Sequence, residues 1–283
     1  MIFYTVIFGL AFGPAIVLAG PGAFSDPTGL SGTGNAVATA ADLGPVMLAA
    51  AVAAPLVYAL IAVAVIALSS GRAGLRDLWS RLFRWRVGLP WYAFALLAAP
   101  LLWAGVQGAL SLTSDVYVPG IVTADDKAGL LVTALVAGLV AGFFEEIAWT
   151  GFATDDLLRR HGVVAAGISL GLLWSVLHLP LYAGATYGGV PRELAVPVNL
   201  FAWPLPYRVL VVWAYSRTRS VLIAVLMHVP MTALGFVLGS AAMAGVPDVI
   251  FNLIFGAALW VVVAAVTVAG RRHSAPTGHP AYG

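Results

Sequence analysis

Residues 130–152 read LLVTALVAGLVAGFFEEIAWTGF, an apolar run interrupted by two threonines and by the adjacent carboxylates Glu145 and Glu146. About 20 apolar residues in a helix are enough to cross the ~30 Å hydrocarbon core of a bilayer. The stretch therefore predicts a transmembrane helix that carries two ionisable side chains.

Similar apolar runs occur on both sides of this stretch, so the sequence predicts an all-α, polytopic bundle of about eight transmembrane helices. The runs lie at residues 2–19, 45–68, 91–112, 130–152, 163–183, 194–215, 219–240 and 248–269. The first run lacks the basic region of a cleavable signal peptide, which favours a retained helix. We predict one membrane domain over 1–270, with the core of the site at about 128–240, and a short disordered cytoplasmic tail at 271–283.

The composition supports the membrane class and excludes others. Hydrophobic residues make up 61% of the chain, charged residues make up 9%, and the mean hydropathy is +0.97, which leaves too few polar groups to cover a soluble globule. The absence of cysteine excludes disulfides, thiol nucleophiles and Cys-ligated zinc. The basic residues lie in short loops and form no clustered stripe, so nucleic-acid binding is not expected.

The distribution of arginines predicts that both termini are cytoplasmic. Residues 71–90 (GRAGLRDLWSRLFRWRVGLP) interleave five arginines with leucine and aromatic residues, and they predict an interfacial amphipathic helix. With this segment inside, alternating spans put eleven of the fourteen basic residues inside and most acidic loop residues outside. The apolar runs predict a multi-pass membrane protein, and the arginine- and alanine-rich composition favours a bacterial plasma membrane.

Ionisable side chains inside the spans mark the candidate site, because each costs at least ~2.5–3.5 kcal/mol on insertion scales. They are Glu145, Glu146, His178, Arg208 and His228. A poorly solvated Glu suits a general base near neutral pH, and a His can share the water that it activates. A second His with a nearby hydroxyl can stabilise an oxyanion. The set indicates a hydrolase that needs no cofactor.

Each of these residues also has a purely structural interpretation. A membrane His can hydrogen-bond across helices, a Glu pair can cap a cytoplasmic helix end, and Arg208 can snorkel or pair with a carboxylate. Trp149 and Trp174 are interpreted as packing or interface residues. It is the joint occurrence of the polar residues that favours a site.

The same residues resemble the motifs of the CPBP family of intramembrane glutamic proteases, also called Abi or CAAX prenyl protease type 2-like proteins. The family pattern is EExxxR, F/WxxxH and HxxxN, and the counterparts here are EEIAWT (145–150), WSVLH (174–178) and HVPMT (228–232). The resemblance covers about 143–232 and implies a helical membrane bundle whose site opens from within the membrane. The implied activities include removal of the C-terminal tripeptide from prenylated proteins and the processing of, or immunity to, peptides.

Carried over position by position, the resemblance implies that Glu145 activates a water that His178 shares. Glu146 would orient the site, and His228 with position 232 would form the oxyanion hole.

Two positions depart from the family pattern. The family Arg is Thr150 here, so the buried charge of Glu146 needs another partner, for which Arg208 is a candidate. The family Asn is Thr232, whose hydroxyl is a donor but is shorter than an amide. Because loss of one oxyanion donor can cost ~10²–10³ in rate, both changes bear on activity and not on the fold.

The predicted spans also contain a geometric conflict. At 1.5 Å per residue, they place Glu145 in the inner half of the bilayer and His178 in the outer half. A tilted fourth helix that starts further out, or a fifth helix that begins within the Arg159–Arg160 segment, would bring the two side chains level.

The sequence thus predicts an intramembrane endopeptidase whose partners are membrane lipids and a membrane-associated or lipidated peptide or protein. One alternative is a non-catalytic member that acts as a membrane scaffold or peptide-immunity protein. A metal-dependent hydrolase with Glu145, His178 and His228 as ligands and a proton-coupled transporter that uses the Glu pair rank lower, since neither an HExxH motif nor repeats are visible.

Overall fold

The computed structural model describes residues 2–19, 45–179, 187–240 and 242–273, and every regular element within these residues is helical. A 3-10 turn lies at Asp115–Tyr117, and a π-helical turn at Trp149–Ala153 joins the fifth helix to the sixth. The predicted all-α class is therefore confirmed. The α-helices are α1 (Ile2–Ala19), α2 (Pro45–Leu82), α3 (Leu89–Ser111), α4 (Gly120–Thr123), α5 (Lys127–Ala148), α6 (Thr154–Leu177), α7 (Arg192–Phe201), α8 (Pro204–Thr218), α9 (Val221–Leu238) and α10 (Val246–His273).

Long helices with exposed apolar faces identify a multi-pass membrane protein. Among the described residues, six helical segments are long and apolar enough to cross a membrane, and one of them, Lys127–Leu177, contains 51 residues. That segment holds the fourth predicted span and the first part of the fifth, whose residues 180–183 lie outside the described residues. Leu60, Leu101 and Val261 are 58%, 66% and 69% exposed, as expected for side chains that face lipid. The number of spans and the N-in, C-in orientation remain predictions.

Several predicted boundaries are wrong. The predicted interfacial segment continues α2 beyond a break at Gly71, where φ is +57°. The predicted span at 194–215 lies within the apolar segment Arg192–Thr218, in which two turn residues separate α7 from α8. Helix α8 begins at Pro204, a residue type that favours the first turn of a helix. Helix α10 extends to His273, which lies within the predicted tail, and residues 274–283 lie outside the described residues.

The chain reverses direction at Gly162, and this reversal brings predicted site residues to one level. Gly162 has φ +74° and ψ 177°, a conformation that residues with a side chain rarely adopt. The helical path of α5 continues through the π turn to this glycine, so Glu145 precedes the reversal by 17 residues and His178 follows it by 16. The predicted difference in depth is wrong because residues 153–161 extend the helix.

Glycines let two pairs of helices around the site approach each other closely. On α5, a Cβ added to Gly138 would lie 2.5 Å from the Val229 carbonyl oxygen of α9. On α6, a Cβ added to Gly167 would lie 2.5 Å from the Val209 Cα of α8. Both glycines belong to GxxxG pairs, at 138–142 and 167–171, and this spacing permits close backbone contact between membrane helices.

Asp155 joins three segments at one end of the bundle. Its carboxylate lies 3.2 Å from Nη1 of Arg81 and 2.5 Å from Nη1 of Arg219, and the Tyr215 hydroxyl donates to it at 3.1 Å. Asp155 and the two arginines come from three segments that lie between predicted spans, and the arginine distribution assigns all three segments to the cytoplasmic side. Their contact supports the placement of all three on one side of the membrane.

The close contact between α5 and α9 can be tested with one added methyl group. We expect Gly138→Ala to lower the melting temperature of the detergent-solubilised protein by roughly 5 °C, because the Val229 carbonyl can move only if α9 moves. Gly105→Ala in α3 is the matched control, since a Cβ there meets nothing within 4 Å. Thermal unfolding followed by tryptophan fluorescence measures both variants, and equal melting temperatures would contradict the close contact.

Candidate active site

The Glu146 carboxylate lies at the centre of a buried polar network. Nη1 of Arg208 donates to its Oε1 at 2.8 Å and to its Oε2 at 3.0 Å, and Nδ1 of His228 lies 2.8 Å from Oε1. The Thr150 hydroxyl donates to Oε2. Glu146 is fully buried, and Arg208, His228 and Thr150 are 2%, 4% and 1% exposed. Helices α5, α8 and α9 and the π turn thus share one carboxylate.

Arg208 supplies the cation that position 150 lacks. The effective penalty for burying a lone ion is several kcal/mol, and an opposite charge with good hydrogen-bond geometry offsets it. Thr150 lies one turn after Glu146 and contributes a neutral donor. The positive charge next to Glu146 therefore comes from α8 and not from the helix that carries the glutamate.

The hydrogen bond to Glu146 determines which nitrogen of His228 carries a proton. An ionised carboxylate can only accept, so Nδ1 of His228 is the donor and Nε2 is left for another partner. Thr232 lies on the next turn of α9 and is partly exposed. Its hydroxyl donates to no group in the described part of the chain. The structure thus places the two predicted oxyanion residues one turn apart on one helix.

Trp174 holds the other glutamate. Its indole Nε1 donates to Oε2 of Glu145 at 2.6 Å, and both residues are 6% exposed. Nδ1 of His178 lies 2.8 Å from the Trp174 carbonyl oxygen, and the two rings are 4.8 Å apart between centroids. Because a carbonyl only accepts, Nδ1 of His178 carries the proton and Nε2 keeps its lone pair in the neutral ring.

Trp174 also touches the Glu146 network, so the interpretation of this residue as a packing or interface residue is wrong. Its ring lies 4.9 Å from the guanidinium carbon of Arg208 and 5.6 Å from the His228 ring. The sequence signal was an indole N–H one turn before His178, a position at which the family pattern also accepts Phe. Trp149 does fit a packing role, because it is fully buried and its ring meets that of Phe3.

The side chains in contact offer a defined chemistry. Glu145 is a carboxylate that accepts a hydrogen bond from an indole N–H, and His178 has a ring nitrogen without a partner in the described residues. His228 is an imidazole whose Nδ1 donates to the Glu146 carboxylate. These groups suit water activation and stabilisation of a developing negative charge. Among the described residues, no three His, Asp or Glu side chains gather as a group that could hold a metal ion.

Comparison with known proteins confirms the predicted family resemblance. Residues 127–234 match the family described as Type II CAAX prenyl endopeptidase Rce1-like, and all three quoted motifs lie within this segment. The chain is 31% identical over 94 residues to CAAX prenyl protease 2 of Methanococcus maripaludis. The aligned part covers 32% of this chain and 35% of the relative, so it spans about a third of the curated relative.

A double-mutant cycle tests the buried pair of Glu146 and Arg208. We expect Arg208→Met to destabilise the protein by about 3–5 kcal/mol because it leaves an unpaired buried carboxylate. Adding Glu146→Gln should restore part of this loss, since no buried charge remains. Thermal unfolding of both single variants and the double variant gives the coupling energy, with exposed Arg76→Met as the control. Additive effects would contradict direct pairing.

Proposed function

We propose that this protein is an intramembrane endopeptidase that hydrolyses a peptide bond with a water activated by Glu145 and His178. The observation that carries this proposal is that one residue, Trp174, forms hydrogen bonds with both side chains. Its indole N–H donates to Glu145, and its carbonyl oxygen accepts from His178. These side chains lie beside the Glu146 network, within the segment that matches the CAAX prenyl endopeptidase family.

Water activation follows from the protonation of the two side chains. Glu145 takes a proton from the water as the water oxygen attacks the carbonyl carbon of the scissile bond. Nε2 of His178 accepts the second hydrogen bond of the same water and orients it. When the C–N bond breaks, Glu145 returns the proton to the leaving amine, so the site regains its starting protonation state.

His228 and Thr232 are the proposed donors to the oxyanion. Because Nδ1 donates to the Glu146 carboxylate, Nε2 can donate to the oxyanion only in the form of His228 with a proton on both nitrogens. In this form Arg208 and His228 balance the charges of Glu146 and Glu145. Zero net charge is favourable in a site of low dielectric constant.

The proposed substrate is a membrane-associated or lipidated peptide or protein. The matched family and the Methanococcus maripaludis relative are both named for CAAX prenyl substrates, and the apolar surroundings of the site suit a peptide that arrives from the lipid phase. The arginine- and alanine-rich composition supports a bacterial plasma membrane as the location. A lipid-anchored peptide without a prenyl group is therefore as relevant a probe as a farnesylated CAAX peptide.

Substitution of the two water-activating groups tests the mechanism. We expect Glu145→Gln and His178→Ala to lower kcat for either probe by about a hundredfold or more, because the first removes the base and the second removes the group that orients the water. Mass spectrometry of the cleaved peptide measures the rate with purified protein in detergent. Glu193→Gln and His161→Ala are matched controls at exposed positions, and we expect both to keep the wild-type rate.

Two outcomes would contradict the proposal. Wild-type rates in both Glu145→Gln and His178→Ala would exclude these residues as the water-activating pair. Absence of cleavage by the wild-type protein, together with full function of Glu145→Gln in cells, would favour the non-catalytic scaffold or immunity protein.

A further inference from the structure

Trp174 contacts four of the five ionisable side chains of the candidate site, and it meets Glu146 only through Arg208 and His228. Its indole N–H donates to Glu145, and its carbonyl accepts from His178. Its ring lies 4.9 Å from the Arg208 guanidinium and meets the His228 ring edge-on at 5.6 Å. A residue that only filled space would not need the N–H, so these contacts point to a further role.

We propose that Trp174 is a positioning residue that separates the roles of the two adjacent glutamates. This inference rests on the proposed function, because it explains how Glu145 stays a base while Glu146 serves as a structural anion. Adjacent helical residues diverge by about 100°, which turns the carboxylates apart but does not determine the partner of each. Trp174 determines those partners, since its N–H binds Glu145 and its ring lies against Arg208.

The electrostatics of the indole group explain why Glu145 and Glu146 have different roles. The face of an aromatic ring attracts a cation, so the ring stabilises Arg208 without competing for its N–H groups. Nη1 of Arg208 bonds both oxygens of Glu146. Glu145 accepts from a neutral indole N–H, which orients the carboxylate without neutralising it. A carboxylate held in this way keeps the lone pairs that a base needs.

Phenylalanine at this position would preserve only half of these interactions. It would retain a ring face for Arg208 but would lose the N–H that holds Glu145. The family pattern accepts either Phe or Trp here, so the hydrogen bond belongs to chains that carry Trp, and its effect can be isolated by Trp174→Phe.

Trp149→Phe is a closely matched control. Trp149 is fully buried, and its Nε1 has no hydrogen-bond partner among the described residues. Both substitutions remove the same atoms from a buried indole, but only Trp174→Phe removes a hydrogen bond to the site. We expect kcat to fall about ten- to a hundredfold in Trp174→Phe with KM unchanged, and to stay within about twofold in Trp149→Phe. The probe is the peptide that the wild-type protein cleaves.

A second readout does not depend on cleavage. The full-length chain in detergent micelles, labelled with ¹⁵N in the indole groups of its nine tryptophans, gives an N–H signal for Trp174 that Trp174→Phe identifies. We expect this signal to shift upfield in Glu145→Gln, because a neutral acceptor binds the proton less strongly than a carboxylate, and to stay in place in Glu193→Gln.

The two readouts separate failure of the inference from failure of the proposed function. An unchanged kcat in Trp174→Phe, or equal losses in both tryptophan variants, would overturn the positioning role. If the wild-type protein cleaves neither probe, the proposed function fails for these probes, and the indole signal alone tests the contact between Trp174 and Glu145. A signal that does not respond to Glu145→Gln would then overturn the contact itself.

Discussion

The buried carboxylate of Glu146 is the constraint on which the rest of the site depends. A charge without solvent must find donors and an opposite charge within the protein, and Glu146 finds them on other parts of the bundle: Arg208 on α8, His228 on α9 and Thr150 in the π turn. Each of these elements must therefore lie within hydrogen-bond reach of one point. The packing of the central helices brings these donors and the arginine into contact with Glu146.

Close packing of α5 with α9, and of α6 with α8, makes that reach possible. Arg208 immediately precedes Val209, which meets Gly167, and His228 immediately precedes Val229, which meets Gly138. Larger residues at these glycines would push both polar side chains away from Glu146. The glycine contacts and the ion network thus stabilise the same packing, because both require α9 to lie close to α5 and α8 to lie close to α6.

The sequence predicts the all-α membrane class and the family resemblance well, because apolar runs such as 130–152 and charges within them both have large energetic costs outside the right surroundings. It predicts the helical path through the Arg159–Arg160 segment only as one of two alternatives, because TDDLLRR is polar and the contacts of Asp155 with Arg81 and Arg219 are visible only in the folded chain. The role of Trp174 was not predicted. An indole N–H has value only when the partner helix is known, and single-sequence patterns do not supply that pairing.

The replacement of the motif arginine by Thr150 changes how the site is held together. An arginine at this position would pair with Glu146 within a single helix, four residues apart. Arg208 makes the pair an interhelical contact, so the charge of Glu146 is balanced only while α8 remains packed on α6. Thr150 keeps a donor at the original position and needs no counter-charge of its own. Threonine at position 150 is therefore compatible with an intact anionic site, because the cation has moved to another helix.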